Sequence, residues 1–187
     1  MNREKIEKAV SDLLVALGED VHREGLRETP QRVARMYEEL LSGTNEEPSK
    51  HLKFFTETSN SGVVVVKDIP VNSICEHHLL PFVGVAHIVC VPSDDKIIGL
   101  SKFARVVDCF AKRLQVQERL TGEIAKFIYE NAKLDGVMVL VEAEHLCMTM
   151  RGIKAAGSRT KTAAFYGVFK EDLQKRSEAI SLIEMGW

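Results

Sequence analysis

The chain lacks any apolar run approaching the roughly 20 residues that cross a bilayer, and Met1-Asn2-Arg3-Glu4-Lys5 is not followed by an apolar stretch. Neither a membrane span nor a secretory leader is expected. Net charge is scarce too: 25 Lys and Arg stand against 27 Asp and Glu, a formal balance of −2. That balance supplies no field to hold a nucleic-acid backbone, so any anion must be bound by a local cluster. Cysteine is limited to Cys75, Cys90, Cys109 and Cys147, too scattered over 187 residues for the disulfide framework of a small secreted domain. No internal repeat or low-complexity segment is visible. These absences imply a cytoplasmic globular protein with thiols free or metal-bound, and with neither nucleic acid nor membrane as partner.

What is present is ordinary in bulk, at 45% hydrophobic and 28% charged residues, and patterned in detail. Ile6, Val10, Leu13, Leu14 and Leu17 recur at helical spacing, with Gly18 as a stop. A second helix is expected from Thr29 as cap and Pro30 at its first position, with Val33, Met36, Tyr37, Leu40 and Leu41 as its stripe and Gly43 at its end. The polar stretch 44–62 reads as a loop, so an N-terminal helical arm and linker (1–61) is expected to precede a second domain (62–187). There, the unbroken β-branched run Val63–Val66 reads as a buried strand and Phe82–Val91 as another. Ser101 is expected to cap a helix with the stripe Phe103, Val106, Val107, Phe110 and Leu114. Leu120, Ile124, Phe127 and Ile128 mark the next helix. Strands about Gly136–Ala143 and Thr162–Phe169 follow, then a short helix near Glu171. The expected fold class is α+β: a mostly antiparallel sheet with a helix pair on one face, behind an N-terminal helical hairpin. Four strands with two apolar faces leave surface in need of cover, which a homo-oligomer would supply.

The chemistry concentrates in Cys75-Glu76-His77-His78 and His145-Leu146-Cys147. Cys sulfur and His nitrogen are zinc donors, and two residues separate Cys75 from His78, a common spacing for ligands on one turn. A closed structural site would use Cys75, His78, Cys147 and either His77 or His145. An open catalytic site would use three ligands and leave His77 and His145 free to move protons. The residues alone leave both readings standing. Cys90 and Cys109 have no His neighbours and read as structural. Ser101-Lys102-Phe103-Ala104-Arg105 sets two cations at a helix start, where the dipole disfavours them unless an anion is bound. A salt bridge from Arg105 to Asp108 is the simpler alternative. Arg151 adds a cation just after Cys147. Glu118, near the start of a helix, suits the dipole, yet its carboxylate would also match the two adjacent donors on guanine's Watson–Crick edge.

In these stretches the sequence resembles the GTP cyclohydrolase I family. The matching residues are Thr29-Pro30-Gln31-Arg32-Val33-Ala34, Cys75-Glu76-His77-His78, Gly99-Leu100-Ser101-Lys102, Gln115-Val116-Gln117-Glu118-Arg119-Leu120-Thr121, His145-Leu146-Cys147-Met148, Arg151-Gly152 and the 158–162 segment. The resemblance implies a zinc-dependent hydrolase that turns GTP and water into 7,8-dihydroneopterin triphosphate and formate, the first step toward folate or other pterins. It implies Zn2+ on Cys75, His78 and Cys147, and proton transfer by His77 and His145 with Ser101 taking part. Glu118 would anchor guanine beside Gln117, and Lys102, Arg105, Arg151 and Arg32 would meet the triphosphate. It also implies the tunnelling T-fold, in which sheets of several subunits join, and a decamer of two stacked pentameric rings with shared active sites. A non-enzymatic zinc-stabilised nucleotide-binding or assembly module and a different purine- or pterin-handling enzyme of the same fold are the competing readings. Val89-Cys90 departs from the Gly-Tyr often found there in the family.

Overall fold

The computed structural model describes residues 1–56, 62–93 and 96–185. The chain divides into two compact units, Met1–Ser42 and Gly43–Trp187. In the first, α1 (Arg3–Ala16) begins where the Asn2 side chain accepts from the Lys5 amide, and α2 (Thr29–Leu40) carries Pro30 in its first turn. Thr29 does not cap α2. Glu28 holds that position without a side-chain bond, and the Thr29 hydroxyl reaches back to the Gly25 carbonyl at 3.4 Å. An ion pair between Arg3 and Glu38 joins the two helices.

The second unit opens with two short 3-10 turns, Ser42–Asn45 and Pro48–His51, inside the stretch read as loop. Residues 57–61 of that stretch lie outside the described residues. A two-stranded sheet pairs β1 (Phe54–Thr56) with a strand at Lys96–Ile98, labelled β4 below. The long strands come between and after: β2 (Val64–Cys75), β3 (Pro81–Pro92), β4, then α3 (Leu100–Ala111), β5 (Leu114–Gln115), α4 (Gln117–Asn131) and β6 (Leu134–His145). The chain ends with α5 (Leu146–Thr149), β7 (Thr160–Gly167), α6 (Val168–Glu171) and α7 (Leu173–Glu184). The main sheet runs β5-β2-β3-β6-β7, antiparallel except where β5 lies beside β2. The α+β class, with an antiparallel sheet and a helix pair on one face, is as the sequence implies.

The helix pair covers one face of that sheet. Phe103, Val106, Val107 and Phe110 of α3, with Leu120, Ile124 and Ile128 of α4, bury against Val71, Phe82, Ile88, Val139 and Val141. Leu114, assigned to the α3 stripe by spacing, instead pairs as β5 with Ile74 and is 41% exposed. Ser101 lies within the first turn of α3, whose cap is Gly99. Asp108 pairs with Lys112 at 2.9 Å, so the Arg105–Asp108 bridge weighed above does not form. The other face is covered in part by the C-terminal helices: Val89 and Met138 pack on Phe169, Ala179 and Ile183. Val168 and Phe169 leave the strand because Gly167, at φ 58°, turns the chain into α6. Asp172 then caps α7 by accepting from the amides of Gln174 and Lys175.

Under α7 lies a buried titratable group. A bulge between Val66 and Ile69 puts Asp68 at φ 56°, and its amide donates to Nδ1 of His87, at 3.2 Å. Burial pushes the His87 pKa below its ordinary 6.5, with Lys67 and Lys161 acting the same way and Asp68 and Glu142 opposing. The folded state therefore resists a proton that the unfolded chain accepts, and stability must fall as pH drops below about 6.5. Denaturant midpoints taken between pH 7.5 and 5.5 should decline for the wild type and decline less for His87→Gln. Equal slopes would remove His87 from the effect.

Candidate active site

Both strands that carry site residues run longer than alternation alone implies, and their ends meet. Cys75 is the last residue of β2 and His145 the last of β6. Phe82 of β3 lies between these strands, opposite Ser73 on one side and His145 on the other. Glu76–Leu79 is a tight turn: the Leu79 amide reaches the Cys75 carbonyl, the Cys75 amide reaches the Leu80 carbonyl, and Leu79 adopts φ 54°. Arg119 of α4 pins this turn from outside through an ion pair with Glu76, which holds that carboxyl below its usual range. The α5 turn then brings Cys147 back beside His145.

The result is one donor group: a sulfur of Cys75, a sulfur of Cys147 and a ring nitrogen of His145, all within 4.8 Å of one another. Burial pushes the Cys147 thiol up, and the neighbouring Cys75 pushes it the same way. A Cys147 thiol that resists ionisation through burial and the sulfur beside it would be relieved by a divalent cation of borderline softness, so the donor set fits zinc. His78 is not in this group. Its Nε2 accepts from Nη1 of Arg151 at 3.0 Å, and the same guanidinium nitrogen lies 3.4 Å from the Cys147 carbonyl. His77 is exposed on the turn, its ring edge-on to His78.

A cavity of about 240 Å³ opens beside the thiols, lined by His77, Gln117, Glu118 and His145 among others. His145 is held on two sides. Its ring stacks on that of the fully buried Phe82, with centroids 4.7 Å apart and planes within 9°, and its Nε2 lies 2.7 Å from Oε1 of Gln117. Burial lowers the His145 pKa, against the pull of Glu118. Gln117 is only 1% exposed because its Nε2 donates inward to the carbonyls of Val141 and Thr160 and to the Thr162 hydroxyl. Glu118, next in α4, is exposed at the cavity wall.

The cations are more dispersed. Among the described residues, Ser101, Lys102 and Arg105 do not line this cavity. They stand on the first turns of α3, and Arg105 lines a different pocket with Glu46, His51 and Asp108. Arg151 is beside the donor group, and Arg32 on α2 pairs with Glu28 at 2.8 Å within the N-terminal unit. A second group of donors, Glu46, His51 and Cys109, also converges within 4.8 Å. Its members already have partners: Lys50 and His51 both reach Glu46 Oε1, at 2.7 and 2.6 Å, and Arg113 lies 3.7 Å from the Cys109 sulfur. Cys90 is buried, and its thiol is pushed up to about 12 by burial, which makes it inert. Phe82 was given no part in the site from sequence, and Thr121 and Thr162 fall within the matching stretches without a role of their own. Strand register places Phe82 and Thr162, and one turn of α4 sets Thr121 above Gln117.

The chain has close relatives. A family model described as GTP cyclohydrolase I matches residues 6–184. GTP cyclohydrolase 1 of Thermoanaerobacter pseudethanolicus is 55% identical over 183 residues, covering 98% of this chain and 97% of its own length. That of Clostridioides difficile is 55% identical over 186 residues, covering 99% and 98%. That of Streptococcus thermophilus is 53% identical over 182 residues, covering 97% of each. A solved archaeosine synthase, QueF-like in the apo form, aligns with a TM-score of 0.46 at 16% identity, over 58% of this chain and 97% of its own. The family model over residues 6–184 and the relatives more than 50% identical over nearly the whole length show that the chain belongs to the GTP cyclohydrolase I family of enzymes.

Proposed function

We propose that this enzyme is a zinc-dependent GTP cyclohydrolase I of the cytoplasm, converting GTP and water to 7,8-dihydroneopterin triphosphate and formate at the head of a folate or pterin route. Catalysis is carried by the 62–187 segment. The observation that carries the reading is the convergence of Cys75, Cys147 and His145 beside a cavity walled by Glu118. Cys75, Cys147 and His78 would hold the zinc. His78 is the third ligand in this assignment because the resemblance of Cys75-Glu76-His77-His78 to the family implies it; Arg151, which donates to its Nε2, would have to yield that lone pair to the ion. When bound, the ion supplies a water ionised near neutral pH for attack on C8 of guanine.

The remaining work belongs to the side chains. Glu118 accepts from the two donors on guanine's Watson–Crick edge and sets the imidazole ring of the base toward the thiols. His145 and His77 carry protons to the ring nitrogens as the C–N bonds open and formate departs. Ser101 assists the proton transfers that open and rearrange the ribose. Two waters add at C8 and one is released as the new ring closes, so the net consumption is one. Lys102, Arg105, Arg151 and Arg32 bind the triphosphate. A cavity of about 240 Å³ holds a base but not a whole nucleoside triphosphate. The dispersed cations therefore favour a site completed by a neighbouring copy of the chain. Leu13, Leu17, Leu100, Ile153 and Leu173, each more than half exposed, supply apolar surface for such an assembly, which we take to be two stacked pentameric rings. Among the described residues no helix is long and apolar enough to cross a membrane.

Purified protein given GTP should release formate and yield a pterin that fluoresces after oxidation and dephosphorylation. A chelator should stop the reaction, and added zinc should restore it. Protein carrying about one zinc per chain that leaves GTP unchanged would end this reading in favour of a binding module.

A further inference from the structure

Gln117, Thr121 and Thr162 close a directed hydrogen-bond ring. The Gln117 amide nitrogen donates to Thr162 Oγ1 at 3.1 Å. Thr121 Oγ1 donates to the Gln117 backbone carbonyl at 2.8 Å, which uses its only proton. The 2.6 Å contact between the two hydroxyls must then run from Thr162 to Thr121. Each hydroxyl thus donates once and accepts once, and each has a single consistent orientation.

The ring fixes more than itself. Three acceptors share the two hydrogens of one end of the Gln117 amide: the carbonyls of Val141 and Thr160, each at 3.0 Å, and the Thr162 hydroxyl. That end must be nitrogen, so the end facing His145 must be oxygen. A carbonyl oxygen only accepts, and so Nε2 of His145, 2.7 Å away, must carry a proton. The Phe82 ring stacked on the imidazole prevents it from tilting out of this bond.

From this geometry we infer that Gln117, Thr121 and Thr162 lock His145 in the Nε2–H tautomer. Nδ1 is then the one ring atom through which His145 exchanges a proton or meets a ligand. Thr121 and Thr162 are positioning residues: neither reaches the donor group, and both act through Gln117. The catalytic consequence rests on the proposed GTP chemistry. The tautomer does not, and can be read without turnover.

The test uses 15N-labelled protein, metal-free and zinc-loaded. Long-range proton–nitrogen spectra, with the His145 signals assigned by their loss in His145→Gln, report which ring nitrogen bears hydrogen. The metal-free wild type should show Nε2 protonated and Nδ1 bare, and Gln117→Met, which keeps the bulk and removes the acceptor, should show a mixture. A wild-type ring protonated at Nδ1 overturns the assignment. In kinetics, Thr162→Val should lower kcat about fivefold while KM for GTP stays within about twofold, and Thr162→Ser should restore it. Unchanged kcat in Thr162→Val removes the positioning role. If that variant does not fold, Thr121→Ser and Thr121→Val make the same comparison from the other side of the ring. Wild-type protein without GTP turnover sinks the proposed function while the spectra still decide the tautomer.

Discussion

Replacing His145 by Ala should leave about one zinc per chain and lower kcat by a factor of about 10² to 10⁴, the usual worth of a positioned proton carrier. That corresponds to about 3–5 kcal/mol of the barrier. The expectation depends on the separation between ligand and proton carrier. His145 lies in the same 4.8 Å group as the two thiols, whereas His78 faces Arg151. The proposed chemistry requires His78 to take the metal and His145 to remain free for the substrate. His78→Ala should therefore lose zinc, as measured by atomic absorption, and activity with it. If instead His145→Ala loses zinc and His78→Ala keeps it, His145 is the third ligand and the proton assignments must be redrawn. The truncation also removes a ring stacked on Phe82, so circular dichroism is needed to show that the strand ends persist. Their hydrogen-bonded ladder from Phe82 back to Pro92 gives reason to expect that they do.

Much of this site was legible before any coordinates. Cys75 and Cys147 are 72 positions apart, yet their identity as thiols with histidine neighbours was enough to pair them. What could not be read is the reach of the strands. Alternation in β6 shows Val137, Val139 and Val141, all buried, and carries the expected strand to Ala143, but nothing in it says that Glu144 and His145 continue the same ladder. That continuation is set by β3, whose Phe82 pairs with His145 from a part of the chain 63 residues earlier. Gln117 shows the same limit. Its position beside Glu118 suggested a substrate contact, and its identity alone could not disclose that Val141, Thr160 and Thr162 would claim its amide nitrogen. Charge pairing was misjudged for a local reason. Arg105 and Asp108 are three apart on α3, but Lys112 lies four beyond Asp108 and takes it. The short β1, β4 and β5 strands carry too few residues for any period to appear.

Gly84→Ala should cost about 3 kcal/mol of stability, near the upper end for overpacking a core, and should lower activity more than its distance from the thiols suggests. Gly84 pairs with Ala143 across β3 and β6. A Cβ built there would stand 1.9 Å from the Glu142 carbonyl oxygen and 2.6 Å from the Ala143 Cα. Both obstacles are backbone, so no side chain can swing aside and β6 itself must move. Ala143 is 1% exposed, and two residues further on is His145, whose bonds to Gln117 and Phe82 allow little displacement. A shift of about 1 Å at a reacting group can cost about 10² in rate. Gly122 on α4 is the control. It has nothing within 4 Å of a built Cβ, and Ala is the better helix former by roughly 0.5–1 kcal/mol. Gly122→Ala should therefore raise the denaturation midpoint and leave kcat unchanged, while Gly84→Ala lowers both. If the two substitutions behaved alike, the close approach of β3 and β6 would not be what holds His145 at the thiols.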